Sequence, residues 1–230
     1  MMKAKRISVY VLSGAMLLFS GCSSMNNTTK GGLIGAGGGA VLGGLIGKMA
    51  GNTAVGAAIG TAVGGGAGVL IGKKMDKARA EAAAAVQDAT VEEVQDKNGL
   101  TAVKVTFDSG ILFATNKADL STKAKNSLVK FAGVLKNYPD IDVAIYGHTD
   151  ATGTDAINVP LSLKRAQSVS GYLTECGIAS SKFKAVQGQG SAEPVASNDT
   201  KEGRAQNRRV EVFMYVSEQM IEAAQAGTLQ

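Results

Sequence analysis

Glycine is confined in this chain in a way that few folds tolerate. More than half of the 30 glycines lie between Gly31 and Gly72. They form two ladders with a step of four: Gly35, Gly39, Gly43, Gly47 and Gly51, then Gly56, Gly60, Gly64, Gly68 and Gly72. That step aligns each set along one stripe of a helix, where missing side chains let two backbones approach closely. In water each interior glycine costs a helix ~1 kcal/mol relative to alanine, so such a helix needs lipid or tight packing around it. Between the glycines stand Leu33, Ile34, Val41, Leu42, Leu45, Ile46, Val55, Ile59, Val63, Val69, Leu70 and Ile71. Each ladder makes about 26 to 30 Å of helix, near the thickness of a hydrocarbon core. Residues 31–72 are therefore expected to form a helical hairpin turning at Asn52-Thr53, inserted in a membrane, packed on copies of itself, or left as a glycine-rich linker. Lys48, one turn before the tip, either snorkels to the far interface or marks a hairpin outside the bilayer.

What precedes the ladders points to a membrane. Met1-Met2-Lys3-Ala4-Lys5-Arg6, the apolar stretch Ile7 to Phe19 and Ser20-Gly21-Cys22 follow the order of a secretory signal peptide, residues 1–21. Leu18-Phe19-Ser20-Gly21-Cys22 resembles a lipobox, with Phe19 where Leu is usual. The resemblance implies an acylated (diacylglycerol and palmitate-type) Cys22 heading a linker over residues 22–30. Two or three chains at ~0.8 kcal/mol per buried CH2 hold far better than one. Ser23 and Ser24 after the cysteine favour an outer-membrane address, and the ladders resemble the glycine zippers of outer-membrane lipoproteins.

Processing removes Lys3, Lys5 and Arg6, leaving 21 basic against 19 acidic residues. So small an excess argues against nucleic acid, as does the 5% aromatic content, which leaves few stacking platforms. Once Cys22 is lipidated, Cys176 is the only thiol and no intramolecular disulfide is available. Its place before Gly177 in a helical pattern suits a small buried residue.

Residues 73–89, rich in Lys, Asp, Arg, Glu and Ala, read as a solvated helical spacer. Strands are expected at Thr90 to Gln95 and Leu100 to Phe107, joined by a tight Asn98-Gly99 turn. Ser121 is a suitable N-cap for a helix carrying Ala124, Leu128, Phe131, Val134 and Leu135 and ended by Pro139. Ile141, Val143 and Ile145 alternate as a strand. A second helix is expected from Ser162 to a stop at Gly177. Strands follow at Lys184 to Gln187 and Arg208 to Val216, then a short helix from Ser217 to Ala226 within the tail 217–230. Residues 90–216 are thus an α/β domain, a β-α-β-α-β sandwich.

The chemistry concentrates in Gly147-His148-Thr149-Asp150-Ala151-Thr152-Gly153 and Asn158-Val159-Pro160-Leu161-Ser162-Leu163-Lys164-Arg165-Ala166. Asp150 leaves the end of a strand and Arg165 falls in the first turn of the expected helix. A carboxylate and a guanidinium at one pocket suit a zwitterion, the Asp taking an ammonium and the Arg a carboxylate through two parallel hydrogen bonds. A structural ion pair is the plain alternative. These segments, with Gly188-Gln189-Gly190, Pro194 and Asn207-Arg208-Arg209-Val210, resemble the OmpA-like C-terminal domain over roughly Val91 to Val216. The resemblance implies non-covalent binding of the peptidoglycan stem peptide through its diaminopimelate residue. Asp150 and Arg165 match the residues holding its amino and carboxyl groups, Thr152, Asn158 and Leu161 match pocket positions, and Arg208 matches a supporting basic one. Arg208 and Arg209 alternate, so either one serves the site. Many members carry an Asp after the first strand's aromatic residue; here either Asp108 fills that role or the matching place is Ala114.

His148, the one histidine, stands near Asp150 and Ser162, which raises a Ser-His-Asp hydrolase. No G-x-S-x-G elbow accompanies it. One His and one free Cys do not make a zinc site, and Gly188-Gln189-Gly190 lacks the third glycine of a dinucleotide loop. The expectation is an outer-membrane lipoprotein with its domain in the periplasm, without cofactor, metal or catalysis, that tethers the membrane to the wall. The rival is an envelope assembly or stress lipoprotein working through homo-oligomerisation of its zipper, with wall binding secondary.

Overall fold

The computed structural model describes residues 66–95, 101–114 and 116–229. The signal peptide, Cys22, the Asn98-Gly99 turn and the hairpin up to residue 65 lie outside the described residues. Helix α1 (Gly66–Ala85) leads into strands β1 (Ala89–Gln95) and β2 (Thr101–Asp108), then the short helix α2 (Ser109–Leu112) and α3 (Thr122–Asn137). After these come β3 (Ile141–Gly147), α4 (Asp155–Glu175), a 3-10 turn at Ser180–Lys182 and β4 (Phe183–Gly188). Helix α5 (Lys201–Asn207), β5 (Arg209–Val216) and α6 (Glu218–Gln225) close the chain.

The five strands form one sheet in the order β1-β2-β5-β3-β4. Only β3 and β4, joined through α4, run parallel, because a parallel pair needs a crossover. The others pair antiparallel, as Gln95 opposite Thr101 shows for the first hairpin. Alternation divides the sheet. Val103, Val105, Phe107, Ile141, Val143, Ile145, Val210, Val212 and Met214 enter the main core beneath the helices, where Phe107 meets Phe131 of α3 edge-on at 5.9 Å. On the reverse face Ala102, Ala144, Tyr146, Ala185, Phe213 and Tyr215 form a second cluster. The mixed α/β sandwich expected from the sequence is the fold observed.

Caps define the helix ends. Ser121 Oγ accepts from Ala124 N at 3.0 Å to start α3, and Ser217 Oγ accepts from Met220 N at 3.1 Å to start α6. Each removes an orphan N–H from a helix terminus. Gly177, at φ 92, takes the left-handed conformation that ends a helix. Cys176 before it is half-buried against the core.

Two expectations fail here. Residues 73–89 are not a solvated spacer, because Ile71, Met75, Ala78, Ala82 and Val86 are buried in the main core. Spaced at three and four residues, they lay one face of α1 against α3 and α6, and Lys74 Nζ pairs with Asp140 at 2.8 Å. The alanines on that face let α1 pack closely, and its charges occupy the other side. The boundary at residue 72 also dissolves, since α1 includes Gly68 and Gly72. Among the described residues no helix is long and apolar enough to cross a membrane.

The second failure is the start of α4, which begins at Asp155 with Thr154 as its N-cap residue and contains Pro160. Pro160 removes the N–H that would bond Ala156 O and sets its ring against that carbonyl, yet the 21-residue helix continues through it. Arg165 therefore lies nearly three turns inside the helix.

Candidate functional site

Two glycines press α4 against the strand ends. Gly147 and Gly188 are register partners on β3 and β4. A Cβ at Gly147 would lie 2.0 Å from Ser162 O, and one at Gly188 would lie 2.3 Å from Leu163 N. Only glycine permits this approach. Ser162 fastens it, donating to Val159 O at 2.8 Å and accepting from Gly190 N at 3.0 Å. That places Arg165, one turn on, beside the loop that follows β3.

Asp150 heads that loop. Its Oδ1 accepts from Thr152 N at 2.9 Å and from the Thr152 hydroxyl. Its Oδ2 accepts from Arg208 Nη1 at 2.5 Å. Burial acts to raise the carboxyl's pKa, but the bonds from Thr152 and Arg208 outweigh it and hold it below the ordinary aspartate value. Asn158, buried in the first turn of α4, donates to Thr152 O at 3.0 Å and Asp150 O at 3.4 Å. Asn158 thus braces the loop through its backbone. Thr152 is exposed and Leu161 half-buried, the latter one turn before Arg165 on α4.

Arg165 is 4% exposed. Its Nε donates to Lys117 O at 3.1 Å, and its guanidinium carbon stands 5.2 Å from the centre of the Phe113 ring. Burial lowers its pKa, the Arg208 charge adds to that, and Asp150 opposes both. Asp150 and Arg165 therefore share a site, but the ion pair in it joins Asp150 to Arg208. Three charged groups meet there, two positive and one negative, and no carboxylate of the described residues is paired with Arg165.

The neighbouring basic residue goes elsewhere. Arg209 lies on the reverse face, where it donates to Glu211 Oε1 at 2.7 Å and to Glu193 O at 3.1 Å. Strand parity sends Arg208 to the site and Arg209 away from it. Asp108 does not join the site either: it caps α2, accepting from Gly110 N at 2.6 Å. The loop that meets Arg165 is the one carrying Ala114.

A cavity of about 510 Å³ on the reverse face is lined by Lys104, Asp108, Arg209 and Glu211, among others. Its cations are matched, Lys104 to Glu92 at 2.6 Å and Arg209 to Glu211 at 2.7 Å, so it offers less unmet charge than the Arg165 site. His148 also faces this side, its Nε2 3.5 Å from Glu211 Oε2. With the Ser162 hydroxyl held by Val159 and Gly190, no Ser-His-Asp relay is assembled. No cluster suited to a metal ion occurs among the described residues.

Three residues of this architecture carried no role in the reading of the sequence. Phe113 supplies the face under Arg165. Asn207, fully buried, accepts from Val195 N and Ala196 N and donates to Asn198 Oδ1. Asn198 Oδ1 in turn accepts from Ala151 N at 3.0 Å, tying the start of β5 to the Asp150 loop. A buried amide is costly unless its hydrogen bonds are made, so Asn207 before Arg208 was the available signal.

Comparison with known proteins agrees with this geometry. Residues 112–208 match the model of the OmpA family, and residues 1–76 match that of the YMGG-like Gly-zipper. The chain is 38% identical over 136 residues to a probable lipoprotein, YiaD, of Escherichia coli, covering 55% of this chain and 62% of that protein. It is 43% identical over 114 residues to the peptidoglycan-binding protein ArfA of Mycobacterium tuberculosis, covering 50% of this chain and 35% of that one. The chain thus spans only part of the length of each of these relatives. Among solved structures, the cell wall anchor of the T6SS from Pseudomonas aeruginosa superposes with a TM-score of 0.50 at 30% identity, over 62% of this chain and 97% of that one. A putative MotB like protein from Desulfovibrio vulgaris shares the fold, with a TM-score of 0.55 at 23% identity over 66% of this chain and 96% of that one.

Proposed function

We propose, from the premise that residues 112–208 belong to the OmpA family and that a YMGG-like Gly-zipper precedes them, that this chain is an outer-membrane lipoprotein gripping peptidoglycan. The ligand is the diaminopimelate residue of the stem peptide, and the act is equilibrium binding with no bond made or broken. The observation that carries the reading is the excess positive charge at Arg165, a guanidinium 4% exposed whose terminal nitrogens have no acceptor among the described residues. An unmatched buried charge is expensive, and a ligand carboxylate relieves the cost through two parallel hydrogen bonds. Asp150, kept ionised, then serves the ammonium beside that carboxylate. Diaminopimelate offers both groups on one carbon at its free end. Acylated Cys22 and the zipper would hold the other end of the chain to the membrane, making it a tether.

The test is sedimentation of the full-length protein with purified sacculi. Arg165→Gln should weaken binding by about 2 to 5 kcal/mol, the cost of removing one member of a desolvated charge pair, and Asp150→Ala should weaken it by less, because Arg208 already shares that carboxylate. Undiminished sedimentation of both variants overturns the assignment. A second reading, assembly through the zipper, draws on the match over residues 1–76. Deleting residues 31–65 separates the two, because a tether keeps wall binding without them. The deletion has to stop there, since Ile71 belongs to the core.

A further inference from the structure

We infer that Phe113, with the loop it begins, fixes the plane of the Arg165 guanidinium and thereby makes the site selective for a free carboxylate over its amide. The inference rests on the peptidoglycan-binding reading above. Phe113 is 5% exposed and presents its ring to Arg165 at 5.2 Å, while Lys117 O from the same loop takes Nε at 3.1 Å. The ring restrains tilt and the carbonyl restrains rotation within the plane. With Nε occupied, the two terminal nitrogens remain as a fork for a ligand.

The loop itself is tied down. Phe113 N donates to Ser109 O at 2.8 Å, Ser121 N to Leu112 O at 2.9 Å and Lys117 N to Ala114 O at 3.0 Å. Ser121 Oγ donates to Ile111 O at 2.7 Å, and Phe113 and Leu120 form an antiparallel bridge. The positioning elements therefore stand on backbone that is hydrogen-bonded at both ends. A carboxylate accepts both N–H groups of a fixed fork. A carboxamide accepts one and sets its own NH2 against the other, a mismatch that a freely turning guanidinium avoids by rotating. Discrimination thus depends on immobility, which Phe113 supplies.

The experiment uses the full-length protein in detergent micelles and two probes: the tripeptide L-Ala-γ-D-Glu-meso-diaminopimelate, and the same peptide amidated at the free-end carboxyl. Titration calorimetry on the wild type should show preference for the carboxylate form, and Arg165→Gln should erase it. Phe113→Met, similar in size without a π face, should cut that preference about fivefold, the scale of one cation–π contact, and Phe113→Tyr should restore it. In the unsubstituted protein, the Arg165 terminal N–H groups should give separate resonances, because a guanidinium held by the ring and the carbonyl turns slowly about its Nε–Cζ bond. A wild-type preference unchanged in a folded Phe113→Met overturns the inference. So does a single averaged terminal N–H resonance, which decides the matter should the variant fail to fold. Failure of the wild type to bind either tripeptide instead refutes the binding reading, leaving the terminal N–H resonances to judge the positioning.

Discussion

Glu211→Gln removes the carboxylate that pairs with Arg209 on the reverse face, and its cost should depend on pH in a calculable way. Burial acts to raise the Glu211 pKa, but His148, Arg209 and Lys104 around it prevail and bring it from 4.5 to about 2. That drop corresponds to about 3 kcal/mol of folding free energy. The folded value lies below the unfolded one, so the contribution is complete above pH ~4.5 and is lost as pH falls towards ~2. Urea unfolding followed by far-ultraviolet circular dichroism suits the measurement, since the chain has no tryptophan. The stability gap between wild type and variant should be about 3 kcal/mol at pH 7, about 1 kcal/mol at pH 3, and close to zero at pH 2. Other carboxylates cancel from the difference except Glu193, whose pKa the Glu211 charge helps to raise. A gap that stays constant from pH 7 to pH 3 refutes the claim that Glu211 is an ionised partner of Arg209.

Met75→Ala should cost about 2 to 5 kcal/mol in the same urea assay, as for a buried core side chain, whereas a solvated spacer would register no change. Gly188→Ala forces a Cβ to within 2.3 Å of Leu163 N and should destabilise by about 3 kcal/mol, the upper range for overpacking, with loss of sedimentation on sacculi. Gly171→Ala, on the helix that carries Leu163 and with nothing within 4 Å of the new Cβ, should instead stabilise by about 0.5 to 1 kcal/mol; equal losses from both substitutions would sink the close-approach argument.

The sheet was legible because apolar residues at a period of two, such as Val210, Val212, Met214 and Val216, share one face of a strand and would scatter around a helix. The cap at Ser121 was legible because a short hydroxyl side chain satisfies an orphan amide, whereas Ser217 was read as the start of its helix and the structure makes it the cap. Helix α1 was misread for a compositional reason. Its buried face is largely Ala78, Ala82 and their neighbours, so small apolar residues disappear beneath the count of Lys, Asp, Arg and Glu. Pro160 hid the first two turns of α4, since proline early in a helix resembles one that precedes it. At the site, Asp150 and Arg165 were singled out by residue type and motif, and the structure brings them together. The partner of Asp150 was not legible, because the choice between Arg208 and Arg209 turns on a parity that sequence leaves open until the register is known. Here Asp108 opposite Arg209 settles it.

That parity has an energetic consequence for a zwitterionic ligand. Arg209 is neutralised by Glu211 and Arg208 by Asp150, so Arg165 alone enters binding without a charged partner of its own. A ligand carboxylate at Arg165 adds an ion pair where none stood. A ligand ammonium at Asp150 meets a carboxylate already bonded by Arg208 and Thr152, and gains only the difference between its own bonds and those it weakens or shares. Arg208, whose side chain is 39% exposed, recovers solvation if it gives way, so the exchange is feasible but modest. On the reading proposed above, the carboxylate end carries most of the affinity and the ammonium end adds less. On that reading, discrimination between a carboxylate and its amide rests on how firmly Phe113 and Lys117 hold one guanidinium.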